Sequence, residues 1–267
     1  MNIAVTGHRG CIGSRLVNLG ATSLLCDITV KEEVLSELER VRPDVIIHTA
    51  GMSSIDRCDE DYEKALTINQ YGTSVVCEAA EQVVGSGRVV AISTDQVFDG
   101  EAGPYSEQDE PNPIHSYGLS KLGAEAVAQL YGCKVLRISR CFDSYSSDIS
   151  GYLKQLQYGF EIGVPDFFYR SYCHMDYVSE EIWRYANLFF TMPEILHLGG
   201  LDTISFYEFM RHVASMYGHD KRLVKPRGPL RDYSPRPRKC GLNTGLAVRL
   251  GVPVYTVYES VLRMKNE

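Results

Sequence analysis

Apolar residues in this chain fall into short uniform blocks separated by longer stretches of helical periodicity. The blocks are 2–6 (NIAVT), 23–26, the VIIH that opens VIIHTAG, 88–93 and 134–138. Between them lie a helical pattern carried by Ile12, Leu16 and Leu19, a helix from Lys31 to Arg40, a long helical stretch over roughly 61–83, and a helix over 117–131. Short apolar strands alternating with amphipathic helices predict an α/β fold, a Rossmann-type doubly wound parallel sheet with helices on both faces. Ligands of such sheets bind beyond the carboxyl ends of the strands, which here are GHRG, Asp27, HTAG, STD and SRCF.

After residue 140 the alternation loosens. The segment from Phe142 to Val178 is rich in aromatics and glycine, and helices follow at 178–190, 205–217, 243–250 and 255–264. This divides the chain into a dinucleotide-binding domain over 1–140, completed by parts of 174–200, and a small, loop-rich C-terminal substrate lobe over 141–267. The lobe is interleaved with the sheet rather than independent.

The first strand runs at once into GHRGCIG and then a helix. Gly7, Gly10 and Gly13 allow a tight turn and close backbone approach to a pyrophosphate, whose charge would sit at the positive end of that helix. The spacing is GxxGxxG, a departure from GxGxxG. Arg9 either pairs with a 2′-phosphate, which would favour NADPH over NADH, or is a solvated loop arginine. Asp27, twenty residues after Gly7, either accepts from an adenosine ribose or caps the following turn. His48, flanked by apolar strand, reads as a core histidine.

Tyr117 and Lys121 are four residues apart at the start of a helical pattern, so the phenol and the ammonium share one helix face. Thr94, ending the preceding strand, can bring a hydroxyl to the same place.

Composition narrows the partners. A formal net charge of −7 over 267 residues excludes a nucleic-acid backbone as the main one. No run is long and apolar enough for a membrane helix, and the N-terminus has too short an apolar run for a signal peptide, so a cytoplasmic location is expected. The eight cysteines contain no CxxC pair, and no histidines lie at metal-ligand spacing; reduced, mostly buried thiols and no metal site are expected. The one conspicuously basic stretch, Lys221 to Lys239, is either a solvated loop or a surface for an anionic small molecule. The aromatics Phe167, Phe168, Tyr169 and Tyr172 suit base stacking, core packing or a homodimer contact.

Together these motifs carry a resemblance. TGHRGCIG (6–13), CDIT (26–29), RPDVIIHTAG (42–51), SIDRCDED (54–61), IN (68–69), STDQVFDG (93–100), PYSEQDEPNPIHSYGLSKLGAE (104–125) and RPRKCGLNT (236–244) follow one family order over nearly the whole chain. The chain resembles the extended short-chain dehydrogenase/reductase superfamily, and within it the dTDP-4-dehydrorhamnose reductases. GHRGxxG is also similar to the same loop in GDP-fucose synthases, which use NADPH.

The resemblance implies NAD(P)H-dependent reduction of the 4-keto group of a nucleotide-linked 6-deoxysugar. Thr94, Tyr117 and Lys121 would be the catalytic trio, with Tyr117 as general acid and Lys121 lowering its pKa while holding the nicotinamide ribose. Cofactor contacts would come from Gly7, Arg9, Gly10, Cys11, Ile12 and Gly13, from Asp27 and Ile28 at the adenine, and from Ala50, Gly51 and Ser93. NADP(H) is expected ahead of NAD(H). Arg140, in SRCF where relatives read SWVY, and Arg236 would face the sugar nucleotide. The alternatives are an epimerase or dehydratase that retains NAD, and a non-catalytic NADP-binding regulatory subunit.

Overall fold

Ile3, Ala4, Val5 and Thr6 are all buried and form the first strand, β1 (Ile3–Thr6). Polar residues can alternate with apolar ones only where one face of a sheet meets water, so four successive buried positions mark a strand covered on both faces. In chain order there follow α1 (Cys11–Asn18), β2 (Thr22–Ser23), α2 (Lys31–Val41), β3 (Val45–His48), α3 (Ile55–Glu60), α4 (Tyr62–Ala65), a π-helical turn (Leu66–Tyr71), α5 (Gly72–Val83), β4 (Val89–Thr94), α6 (Ser116–Leu130) and β5 (Lys134–Ile138). The later elements are β6 (Cys141–Phe142), α7 (Ser147–Gln157), β7 (Ile162–Pro165), β8 (Tyr169–Arg170), β9 (Cys173–His174), α8 (Met175–Asn187), β10 (Ile195–Leu198), β11 (Ile204–Ser205), α9 (Phe206–Met216), β12 (Val224–Arg227), α10 (Gly245–Arg249) and α11 (Val257–Lys265). The structure, a computed structural model, describes residues 1–228 and 235–267.

The main sheet has the order β10-β5-β4-β3-β1-β2, and β1 pairs in parallel with both β2 and β3, as β3 does with β4. This is the doubly wound, Rossmann-type sheet. After β1 the chain lays β2 on one side and β3 on the other, so the direction of winding reverses between β1 and β3. A crevice opens at such a switch point, beyond the carboxyl ends of the two strands.

The described residues divide into two compact units. The first comprises Met1–Phe98, Glu110–Arg137 and Ser179–Leu196. Its core is built from Ala4, Ile46, Val89 and Val135 of the sheet against Val34 and Leu38 of α2 and Val75, Val76 and Ala79 of α5. The second comprises Asp99–Asp109, Ile138–Val178 and His197–Glu267, with a separate core of Phe142, Ile149, Ile162, Phe209, Met210, Val213, Val257 and Val261.

Two elements depart from the sequence expectation. The strand expected over 23–26 stops at Ser23: the Leu24 amide still reaches the Val5 carbonyl of β1 (3.0 Å), but beyond it the amides of Leu25 and Asp27 donate to the carboxylates of Glu37 (2.7 Å) and Glu33 (2.8 Å) on α2. The helix expected over 61–83 is interrupted. Asp61 caps α4 through the Lys64 amide, and the chain then widens into the π-helical turn before α5 begins. Such turns insert one extra residue per turn and are frequent at functional sites.

Candidate functional site

The glycine turn after β1 is shaped by contacts that side chains would block. A Cβ on Gly13 would lie 2.1 Å from the Gly7 carbonyl oxygen, and one on Gly7, whose φ is +70°, would lie 2.7 Å from the Ala50 amide nitrogen. The two βα loops flanking the switch point therefore touch through bare backbone. Gly10 is the N-cap of α1 and contributes no side-chain cap, and the first turn carries no acid. The leading amides of α1, at Cys11, Ile12 and Gly13, are therefore left for an anionic group, and Arg9, Gly10 and Cys11 are exposed beside them. These residues fit a dinucleotide pyrophosphate.

The other expected cofactor residues are placed less evenly. Ala50 is half-buried and donates its amide to Thr6 Oγ1, and Gly51 is exposed. The Ser93 hydroxyl is buried and donates to Glu125. Ile28 is buried in the core. Asp27 is exposed and its carboxylate accepts from Thr29 N (2.9 Å) and Thr29 Oγ1 (2.7 Å), which holds its pKa below the usual carboxylate range. That is the turn-capping arrangement. His48 is the core histidine that the strand pattern suggests: its ring is bracketed by Thr6 Oγ1 (2.7 Å) and Thr73 Oγ1 (3.2 Å). Burial, reinforced by the Lys121 charge, pushes its pKa down to about 3.

Thr94, Tyr117 and Lys121 converge at the carboxyl end of β4. The imidazole of His115 starts α6 by accepting the Gly118 amide at Nδ1 (3.0 Å), and this cap aims the first turn, with Tyr117 in it, at the end of β4. Gly118 allows the approach, since a Cβ there would lie 2.3 Å from the Gln96 carbonyl oxygen. Thr94 is close enough for its hydroxyl to favour the ionised phenol of Tyr117. Burial outweighs that and pushes the phenol above its ordinary value, and the nearby Asp95 charge adds to the rise. Lys121 is buried and donates from Nζ to the Ile92 carbonyl oxygen (2.7 Å); desolvation lowers its pKa to about 8 against the pull of Glu125. The expectation that Lys121 would draw Tyr117 down toward neutral pH therefore does not match this arrangement, in which the phenol is held in its protonated form.

Three supporting features were not singled out from the sequence. Asn69, in the π-helical turn, bonds both ways to Met52 (N to Oδ1 2.7 Å, Nδ2 to O 3.0 Å) and donates to Ser120 Oγ (2.8 Å), tying that turn to α6. Glu125 accepts from Ser93 and binds Arg137 through both carboxylate oxygens (2.7 and 3.0 Å) in a fully buried pair beneath the site. A chain of side chains through Asp95, Gln96 and His115 borders Thr94. The IN and SKxxxE motifs hold the first two; the third has no signal in spacing because its members come from two elements.

In the second unit Arg140 is half-exposed and pairs with Asp148 at 2.5 Å. Arg236 is half-buried. The basic stretch from Lys221 to Lys239 includes residues 229–234, which lie outside the described residues. Among the described residues His174, Asp176 and Glu267 bring three potential metal-ligating groups within 4.8 Å, a grouping that linear spacing does not reveal. Each is already engaged: Glu267 Oε1 lies 3.0 Å from His174 Nε2, and Arg263 reaches Asp176 at 3.4 Å. No disulfide joins any of the eight cysteines, all of which are among the described residues, and five of them are buried. No helix among the described residues is long and apolar enough to cross a membrane.

Comparison with known proteins decides the family. A model described as the RmlD substrate binding domain matches residues 1–263. The chain belongs to the RmlD family. A dTDP-4-dehydrorhamnose reductase of Sinorhizobium fredii is 29% identical over 237 residues, covering 81% of this chain and 78% of that protein. The methionine adenosyltransferase 2 subunit beta of Danio rerio is 28% identical over 170 residues, covering 61% of this chain and 48% of that one. Among solved structures, a dTDP-4-dehydrorhamnose reductase of Bacillus anthracis in complex with NADP superposes with a TM-score of 0.90 at 22% identity. The match covers 100% of this chain and 99% of that one, a likeness of fold.

Proposed function

We propose that this RmlD-family protein is an NADP(H)-dependent reductase of the 4-keto group of a nucleotide-linked 6-deoxysugar, with Tyr117 as the general acid. The observation that carries the reading is the convergence of Thr94, Tyr117 and Lys121 in the unit whose first βα turn is open to an anion. The names of its reductase relatives supply the substrate class.

The bound nicotinamide cofactor would supply the hydride to the ketone carbon. Gly7, Gly10 and the leading amides of α1 would hold its pyrophosphate, Arg9 a 2′-phosphate, and the exposed Asp27 the adenosine side through Oδ2, since the turn contacts from Thr29 both use Oδ1. As the ketone oxygen becomes an alkoxide it needs a proton. Tyr117 holds one at neutral pH, as any phenol with its ordinary pKa near 10 does and as burial reinforces, so it enters the reaction as an acid. Thr94 would hydrogen-bond the ketone oxygen and fix it against the phenol. Lys121, a cation below about pH 8, would hold the nicotinamide ribose and offset the charge left on Tyr117 after proton transfer. Arg140 and Arg236 are the candidates for the anionic nucleotide portion.

A regulatory role is the second reading, favoured by the likeness to a protein named as an enzyme subunit. A panel of 4-keto-6-deoxysugar nucleotides assayed with NADPH and with NADH separates the two. The reductase reading expects oxidation of NADPH with at least one member. NADPH binding with no oxidation across the panel would favour the regulatory reading.

A further inference from the structure

Beside the trio, Thr94 is held by a continuous chain of buried side chains that ends on the catalytic helix. Thr94 Oγ1 donates to Asp95 Oδ1 (3.3 Å) and accepts from the Gln96 amide (3.2 Å), so its oxygen is held in place while its one proton can turn from Asp95 to a bound ketone. Gln96 Nε2 donates to the same Asp95 oxygen (2.8 Å). At its other end, Gln96 Oε1 lies 3.3 Å from His115 Nε2. Because His115 Nδ1 accepts the Gly118 amide, its proton must sit on Nε2, and Nε2 therefore donates to Gln96. Thr94, Asp95, Gln96 and His115 are 6%, 3%, 8% and 4% exposed, so water does not compete for these bonds. The His115 ring lies nearly parallel to that of Tyr117, 6.1 Å away at 12°.

We propose that Gln96 and His115 are positioning residues, forming one hydrogen-bonded clamp that sets the Thr94 hydroxyl against the Tyr117 phenol by joining the end of β4 to the first turn of α6. The inference rests on the reading of Tyr117 and Thr94 as the groups that meet the ketone oxygen. His115 has two separable duties: Nδ1 caps α6, and Nε2 transmits to Gln96. An asparagine is a strong N-cap but too short to do both, so His115→Asn keeps the cap and breaks the clamp. Gln96→Leu breaks the same clamp from the other side while leaving the cap alone.

Two measurements test this. The first needs no substrate: with tyrosine labelled by 13C at Cζ, the Tyr117 resonance is assigned by its loss in Tyr117→Phe. The clamp expects that resonance to move in Gln96→Leu, in His115→Asn and in the double variant, with the double variant resembling either single one. The second is kinetic. Each single variant should lower kcat by on the order of tenfold to a hundredfold, the cost of a misplaced catalytic group, with NADPH affinity close to that of the parent and only the modest loss of thermal stability that an unpaired buried polar group brings. The double variant should fall no further, because both substitutions cut one chain. A Tyr117 resonance unmoved in His115→Asn, or additive losses in the double variant, would overturn the clamp. If the parent oxidises NADPH with no sugar nucleotide, the reductase reading fails while the resonance still decides the clamp.

Discussion

The Lys121 ammonium and the Ile92 carbonyl oxygen are 2.7 Å apart, both inside the protein. One charge on α6 is thus pinned to the backbone of β4 two residues before Thr94. An ammonium taken out of water and given a neutral partner is held at a cost, which is why its pKa falls to about 8.

That cost has a pH signature. The unfolded chain keeps the Lys121 proton up to its ordinary 10.5, while the folded protein releases it near 8. The destabilisation is therefore full below about pH 8 and fades to nothing above about pH 10.5, and it amounts to on the order of 3 kcal/mol. Lys121→Met should raise stability against urea at pH 7 by about 1 kcal/mol or more, and reduce the gain as pH climbs toward 10.5. The same variant should lose turnover, a stability–activity trade-off at one residue.

Glu125 carries the opposite expectation. Its carboxylate is shared by Ser93 and Arg137, and all three groups are buried. Glu125→Ala leaves the Arg137 guanidinium inside without its anion and should cost about 3–5 kcal/mol in urea unfolding. Replacing the pair together, Glu125→Leu with Arg137→Met, should recover most of that loss, since two apolar side chains need no partner. A double variant as unstable as Glu125→Ala would show that Phe98, over which Arg137 lies at 5.1 Å, depends on the guanidinium.

At the glycine turn, Gly13→Ala places a methyl where the Gly7 carbonyl oxygen stands. The backbone must yield, and the amides at the start of α1 turn away from an anion. NADPH affinity measured by fluorescence titration should fall at least about tenfold. Cys11→Ala, exposed in the same turn, should leave it within about threefold.

The sheet was legible because its strands are buried on both faces and read as largely apolar runs: β1, β3 and β4 appear where NIAVT, VIIH and the run before STD put them. The helix bearing Tyr117 and Lys121 was legible for the same reason, since four residues is one turn whatever surrounds it. What linear spacing could not give is the state of those groups. The rise of the Tyr117 phenol depends on burial and on Asp95, and the short β2 depends on Glu33 and Glu37 reaching across from α2. The break in the long helix at Leu66–Tyr71 has no local marker either, for Leu66, Thr67 and Ile68 fit an unbroken α-helix as well as a π-turn.

The most direct test of the account is a single-turnover experiment with Tyr117→Phe. The variant removes one hydroxyl and nothing else, so its NADPH affinity should stay within about threefold of the parent. The decay of NADPH absorbance on mixing with the 4-keto-6-deoxysugar nucleotide that the parent reduces should slow by at least about a hundredfold, the contribution of a general acid. An unchanged rate in a variant that still binds NADPH would contradict the assignment of Tyr117 as the proton donor.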